Sequence, residues 1–286
     1  MNTNKRINSL GLRSRLSRFP GYALLIIWLI FTVCLVGWII LASFSTTKEI
    51  LTNKLLSSGL HFENYKNAIS KQPVSVYFLN SLFYSSTVCL LVIIIAAPAS
   101  YVLSRYKFRS SKLFTTLFTS AMGIPIIMII LPIYAMMNRL QFKTSVPALL
   151  FMYTATTIPF TTIFLLGFFA TLPKSLEDAA LIDGCTVRKS FWKIFLPMAQ
   201  PGIITVTIFN FITIWNEYFI ALIFVNNADQ RPLSLGLQAM IQAMRYSGDW
   251  AGLYAAIVIV FLPTFILYLF LSEKIIAGVT GGAIKE

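Results

Sequence analysis

The sequence predicts an all-α, polytopic membrane protein with six transmembrane helices and both termini in the cytoplasm. Three observations carry this prediction. Hydrophobic residues make up 57% of the 286 and charged residues only 12%, about half the charged share of a soluble globular domain. Uncharged runs extend from Phe19 to Thr47, Gln72 to Ser104, Leu113 to Asn138, Thr144 to Pro173, Ile194 to Asn216 and Trp250 to Ser272, and each supplies the ~20 apolar residues that cross a bilayer core as a helix. Lysine and arginine are unevenly shared between the segments that join these runs, which sets an orientation.

Residues 1–21 form a cytoplasmic tail carrying Lys5, Arg6, Arg13, Arg15 and Arg18, and a transmembrane domain follows over 22–275. The first span, 22–43, is too long for a secretory signal and ends in bulky Trp38, Ile39, Ile40 and Leu41, so it is expected to stay as an anchor. The long external loop after it holds His61, the single histidine of the chain. It reads as a solvated loop residue, because a metal site needs several converging ligands.

The second span is 75–103 and the third 113–137, in which Pro125 and Pro132 remove backbone donors and mark bending points. The fourth, 146–170, places Thr154, Thr157 and Thr161 at i, i+3 and i+7. They either line a path or bond back to their own helix carbonyls. The fifth, 198–225, reads as one helix that carries a single buried acid, Glu217. At about 100° per residue, Asn210, Thr213, Glu217 and Ala221 share one stripe of it, and Phe211, Trp215 and Tyr218 another. Two readings of the polar stripe stand: a wall of a translocation path, or hydrogen bonding between helices. The sixth span is 250–272, and 276–286 form a cytoplasmic tail.

With the N-terminus inside, fifteen of the 23 Lys and Arg fall on the cytoplasmic side. They include Arg105, Lys107, Arg109 and Lys112 after the second span, and Lys174, Arg188, Lys189 and Lys193 after the fourth. The net charge of +13 therefore reports topology and contact with anionic membrane lipid, and no nucleic-acid partner is expected. Cys34, Cys89 and Cys185 match neither a disulfide framework nor zinc spacing. No Gly-Lys-Ser/Thr triplet occurs, so a phosphate-cradling loop is absent. No catalytic residue, metal or bound cofactor is expected in this chain. An intramembrane hydrolase would lack its usual histidine base, and a secondary transporter would call for buried ion ligands beyond Glu217.

The segment 174–197 is charged and helix-forming between two oily runs. Leu172-Pro173-Lys174-Ser175 supplies a break and a helix N-cap, Glu177 and Asp178 sit in the first turn of a helix through Ala179 and Ala180, and Gly184 ends it. Thr186 can cap a second helix that runs into Leu196-Pro197. Such a hairpin either lies on the lipid surface or is a knob for a soluble partner.

Asp178-Ala179-Ala180, three residues, Gly184, nine residues, Ile194, one residue, then Leu196-Pro197 resembles the EAA-loop signature of ABC importer permeases with all its spacings. The family's leading Glu is Asp178 here, with Glu177 immediately before it. Trp215-Asn216-Glu217-Tyr218 and the tail Gly278-Val279-Thr280-Gly281-Gly282-Ala283-Ile284-Lys285 look like segments of the maltose-type carbohydrate permeases. The resemblance implies half of an importer channel for a sugar, in a bacterial cytoplasmic membrane. It implies a second, related permease, two cytoplasmic ATPase subunits that hold ATP and magnesium, and an external solute-binding protein. Glu177 or Asp178, Ala179, Ala180, Asp183, Gly184, Ile194, Leu196 and Pro197 would then couple to the ATPase, and a non-sugar solute is the alternative cargo. On the same resemblance, Asn210, Thr213, Trp215, Asn216 and Glu217 are the candidates for the translocation path.

Overall fold

The computed structural model describes residues 3–71, 73–140, 142 and 146–281. Its described residues are mostly helical, without a strand among them. In chain order the helices are α1 (Thr3–Ser43), α2 (Thr47–Leu51), α3 (Glu63–Lys71), α4 (Val74–Arg105), α5 (Ser111–Met122), α6 (Ile126–Arg139) and α7 (Val146–Thr171). There follow α8 (Ser175–Ile182), α9 (Val187–Ser190), a π turn (Phe191–Phe195), α10 (Leu196–Met198), α11 (Gln200–Trp215), α12 (Phe219–Phe224), α13 (Leu233–Ser247) and α14 (Trp250–Gly281). Lys143 and the tail from Gly282 onward lie outside the described residues.

Two compact units divide the chain: the residues up to Ser70 with Met244–Val258, and Lys71–Ala243 with the residues from Ile259 on. In the first, the backbone of α1 stays helical across the expected boundary between tail and span, and Pro20–Ser43 is its apolar stretch. Most of that stretch is exposed, and burial begins only at its end with Ala42 and Ser43, as suits a lipid-facing anchor. The external loop after it is built around Glu49. This carboxylate accepts from the Ser57 hydroxyl (2.6 Å), the Ser58 amide and hydroxyl (2.6 and 2.7 Å) and the Thr46 amide (2.8 Å). Those bonds, that of Ser57 foremost, hold its carboxyl well below the usual carboxylate range. His61 sits in the same loop, with Nε2 2.9 Å from the Ser58 hydroxyl.

The second unit is organised on α4 and α7. Toward one end of the pair Tyr84, Val88, Val92, Leu149 and Met152 pack with Ile214 of α11 and Phe224 of α12. Toward the other, Tyr101, Leu165 and Phe169 pack with Phe191, Phe195 and Val206. Lipid is as apolar as leucine, so close approach and polar bonds decide which helices pair. Gly202 shows the close approach: a Cβ there would fall 2.6 Å from the Phe168 ring. The start of α4 also holds the chain beyond α12. Asn80 donates to the carbonyls of Asp229 and Arg231 (2.7 and 3.0 Å), Tyr84 donates to that of Gln230 (2.8 Å), and the Ser81 hydroxyl accepts from the Leu233 amide (2.7 Å).

Two expected spans are not single helices. The third is α5 and α6, bent by 104° at Gly123–Pro125. Pro125 has no N–H to give and precedes the first residue of α6, whereas Pro132 lies inside α6 without interrupting it. The fifth begins with a 72° bend at Ala199 and its helix stops at Trp215, ten residues short of the expected end at 225. Among the described residues three helices are long and apolar enough to cross a membrane, and five if each bent pair is one span. Trp250–Ile266 is a further, shorter apolar helix.

Candidate functional site

Segment 174–197 forms two short helices around a left-handed turn. Pro173 separates α8 from α7, and the Lys174 carbonyl accepts from the amides of Glu177 (2.8 Å) and Asp178 (3.3 Å) to open the helix. The N-cap expected within Leu172–Ser175 is not a side-chain cap: Lys174 holds that position and no side chain bonds the free amides, so the carboxylates of Glu177 and Asp178 in the first turn supply the favourable charge. At the other end the amides of Gly184 and Cys185 donate to the carbonyls of Leu181 (3.0 Å) and Ala180 (2.9 Å). This is a Schellman closure, and it requires the φ of +66° that Gly184 adopts. The Thr186 hydroxyl then accepts from the Lys189 amide (3.3 Å), capping α9.

The hairpin has a fixed face and an open one. On the fixed face Phe191 and Phe195 are buried against Tyr101, with ring centroids 5.3 and 4.9 Å away, and Ile194 and Leu196 pack on the same cluster. Ala180 is buried as well. On the open face Asp178, Ala179, Asp183, Gly184 and Pro197 are exposed, together with Leu181 at 71% and Ile182 at 86%. The two acids that the sequence left as alternatives part here. Glu177 turns inward, its Oε1 3.4 Å from Nε of Arg105, and Asp178 faces outward.

Sequence reasoning missed Arg105, which it read only as one of the cytoplasmic charges. The Arg105 side chain is 4% exposed, and its partners come from segments too far along the chain for any local pattern to reveal.

The second group of candidates does not form one stripe. Asn210 is buried and donates through Nδ2 to the Thr161 hydroxyl (2.9 Å), joining α11 to α7. Thr161, Thr157 and Thr154 each donate to the carbonyl four residues earlier. Trp215 is buried, stacked on Phe211 and edge-on to Phe78. Thr213 and Asn216 are exposed, and Asn216 bonds back to the Ile212 carbonyl (2.8 Å).

Glu217 is not inside a helix. It stands in the break between α11 and α12 and accepts from the amides of Ile220 (2.7 Å) and Ala221 (3.2 Å), the first free donors of α12. Its own carbonyl accepts from the Ser234 hydroxyl. A break in an apolar span is tolerable only when the freed backbone groups find partners, and the carboxylate serves two of them. The stripe expected through Glu217 and Ala221 therefore ends at Trp215, where helical geometry stops.

Residues 89–277 match the family described as binding-protein-dependent transport system inner membrane component. The chain belongs to that family. It is 32% identical over 93% of its length, and 88% of the relative's, to the diacetylchitobiose uptake system permease protein NgcG of Streptomyces coelicolor. It is 31% identical, over 87% of its length and 90% of the relative's, to the trehalose/maltose transport system permease protein MalG of Thermococcus litoralis. Its fold is that of a chain in the crystal structure of a bacterial ABC transporter involved in the import of the acidic polysaccharide alginate, with a TM-score of 0.77 at 23% identity over 91% of this chain and 97% of that one. The family is one of ABC permeases, and this member is accordingly a multi-pass inner-membrane component.

Proposed function

We propose that this permease is one half of the translocation pathway of an ATP-driven carbohydrate importer. It crosses a bacterial cytoplasmic membrane six times, with both termini inside, and pairs with a second, related permease. Two ATPase subunits bind the ATP and magnesium, and an external solute-binding protein delivers the sugar. The carbohydrate cargo rests on relatives named for diacetylchitobiose and for trehalose and maltose uptake.

The observation that carries the coupling reading is the open face of the hairpin 174–197. Asp178, Leu181, Ile182 and Gly184 stand clear of the protein on a scaffold fixed behind them by Phe191 and Phe195. An apolar patch with an acid at its edge suits a protein cleft better than water. Asp178 takes the part of the family's Glu in this reading, because Glu177 is turned to Arg105.

Reconstitution tests it. Vesicles holding the permease, its sister, the ATPase and the binding protein should accumulate a labelled di- or oligosaccharide only with internal ATP. Vesicles without the ATPase should accumulate none. Uptake driven by an ion gradient in the absence of ATP would refute the proposal.

A further inference from the structure

Arg105 closes α4 and joins it to three other segments. One Nη donates to the carbonyls of Phe169 and Leu172, both at 2.6 Å, at the end of α7. Nε stands 3.4 Å from Oε1 of Glu177 in the first turn of α8, and the guanidinium carbon lies 5.1 Å from the centre of the Phe195 ring in the π turn. Helix-terminal carbonyls, a carboxylate and an aromatic face all favour positive charge at this buried guanidinium. The planar fork of arginine can serve several of them at once, where a lysine ammonium is a single point.

The packing under α8 gives the ion pair a particular weight. Close-packed interiors transmit displacement because neighbours have no room to yield. Beside α8, however, lies a partly open cleft of about 120 Å³ lined by Glu177, Tyr106, Ala180, Leu181, Cys185 and Ser190. Apolar packing there is incomplete and carries a push on α8 poorly. At the edge of that cleft Glu177 meets Arg105, which bonds the terminal carbonyls of α7 and closes α4 itself.

We infer that Arg105 and Glu177 form the clasp that delivers movement of α8 to the ends of α4 and α7. The inference rests on the reading that the hairpin docks on an ATPase. Neither residue touches solute or nucleotide; both are positioning residues. The two adjacent acids therefore divide the work: Asp178 holds the ATPase, and Glu177 transmits what the ATPase does.

The test uses the complete importer in vesicles and reads three quantities: ATPase copurified with the permease, ATP hydrolysed in the presence of loaded binding protein, and solute transported per ATP. Glu177→Gln keeps the shape and removes the charge. It should retain wild-type ATPase attachment while solute transported per ATP falls about fivefold, the order expected for loss of one charge-assisted contact. Arg105→Lys should fall in the same direction. Asp178→Ala should instead lose the ATPase from the complex. Wild-type transport per ATP in Glu177→Gln, with Asp178→Ala still losing the ATPase, overturns the clasp and leaves the docking reading intact. Loss of the ATPase in Glu177→Gln also overturns it, since Glu177 would then be the contact itself. Wild-type attachment and coupling in all three variants overturns the docking reading. Should Arg105→Lys not insert, Glu177→Gln still decides, because the Glu177 side chain is 26% exposed and the amide is its isostere.

Discussion

The side-chain amide of Asn210 donates to the hydroxyl of Thr161 across the interface of α11 and α7, at 2.9 Å and wholly out of contact with solvent. The Thr161 hydroxyl in turn donates a hydrogen bond to the Thr157 carbonyl at 3.0 Å, so it is used as both donor and acceptor.

Asn210→Ala and Thr161→Ala should each lower the thermal unfolding midpoint of the purified permease. A double-mutant cycle should give a coupling of about 0.6–1.7 kcal/mol, the range for hydrogen bonds between transmembrane helices. Additive effects of the two changes would show that the bond contributes nothing to helix pairing.

Glu217→Ala leaves the first amides of α12 unserved and should destabilise by about 1 kcal/mol, as the loss of other helix caps does. Glu217→Gln keeps an acceptor for the Ile220 amide and should be milder. Melting curves of the assembled complex measure both, with Ala expected below Gln and Gln below wild type. Equal midpoints for Ala and wild type would remove the capping role.

Gly184→Ala forces a Cβ into a left-handed φ of +66° and should weaken the hairpin by about 1 kcal/mol. Gly184→Asp adds a carboxylate beside Asp183 on the open face as well. It should insert and pair with the sister permease yet lose uptake through weakened ATPase attachment, read by copurification. Wild-type attachment and uptake in Gly184→Asp would separate the hairpin from coupling.

Glu49 gives the external loop a defined response to acid. Its folded pKa is depressed by the hydrogen bonds from Ser57, Thr46 and Ser58, so the stabilisation is complete above the ordinary glutamate value of about 4.3. It is lost as pH falls below that toward the folded value. Limited proteolysis between residues 44 and 65 should be unchanged from pH 7 to 5 and rise below 4. In Glu49→Gln it should already be high at pH 7.

The helices of the second and fourth expected spans were legible almost to the residue, at 75–103 against Val74–Arg105 and 146–170 against Val146–Thr171. A bilayer demands long apolar runs, and composition records that demand. The breaks were less legible because hydropathy sums are blind to direction. Pro125 advertised one of them. The other, at 216–218, contains neither proline nor glycine and depends on a carboxylate taking over as cap. Within the hairpin, Gly184 and Thr186 were readable because turns and caps are local chemistry. Which of Glu177 and Asp178 faces outward was not, since it depends on Arg105, an arginine 72 residues before Glu177 that only the folded chain brings near.

The break at Gly123–Pro125 bears on how the chain is made. α5 has 12 residues and α6 has 14, so they reach ~18 and ~21 Å, against a hydrocarbon thickness of ~30 Å. Neither is long enough to leave the insertion machinery as an independent span. The backbone groups at their junction also need protein rather than lipid around them; α5 packs against α7, which is synthesised after it. The bent pair of α5 and α6 is therefore expected to settle only once α7 has emerged. Biogenesis of this half of the molecule is thus a step of assembly among helices and not a succession of separate insertions.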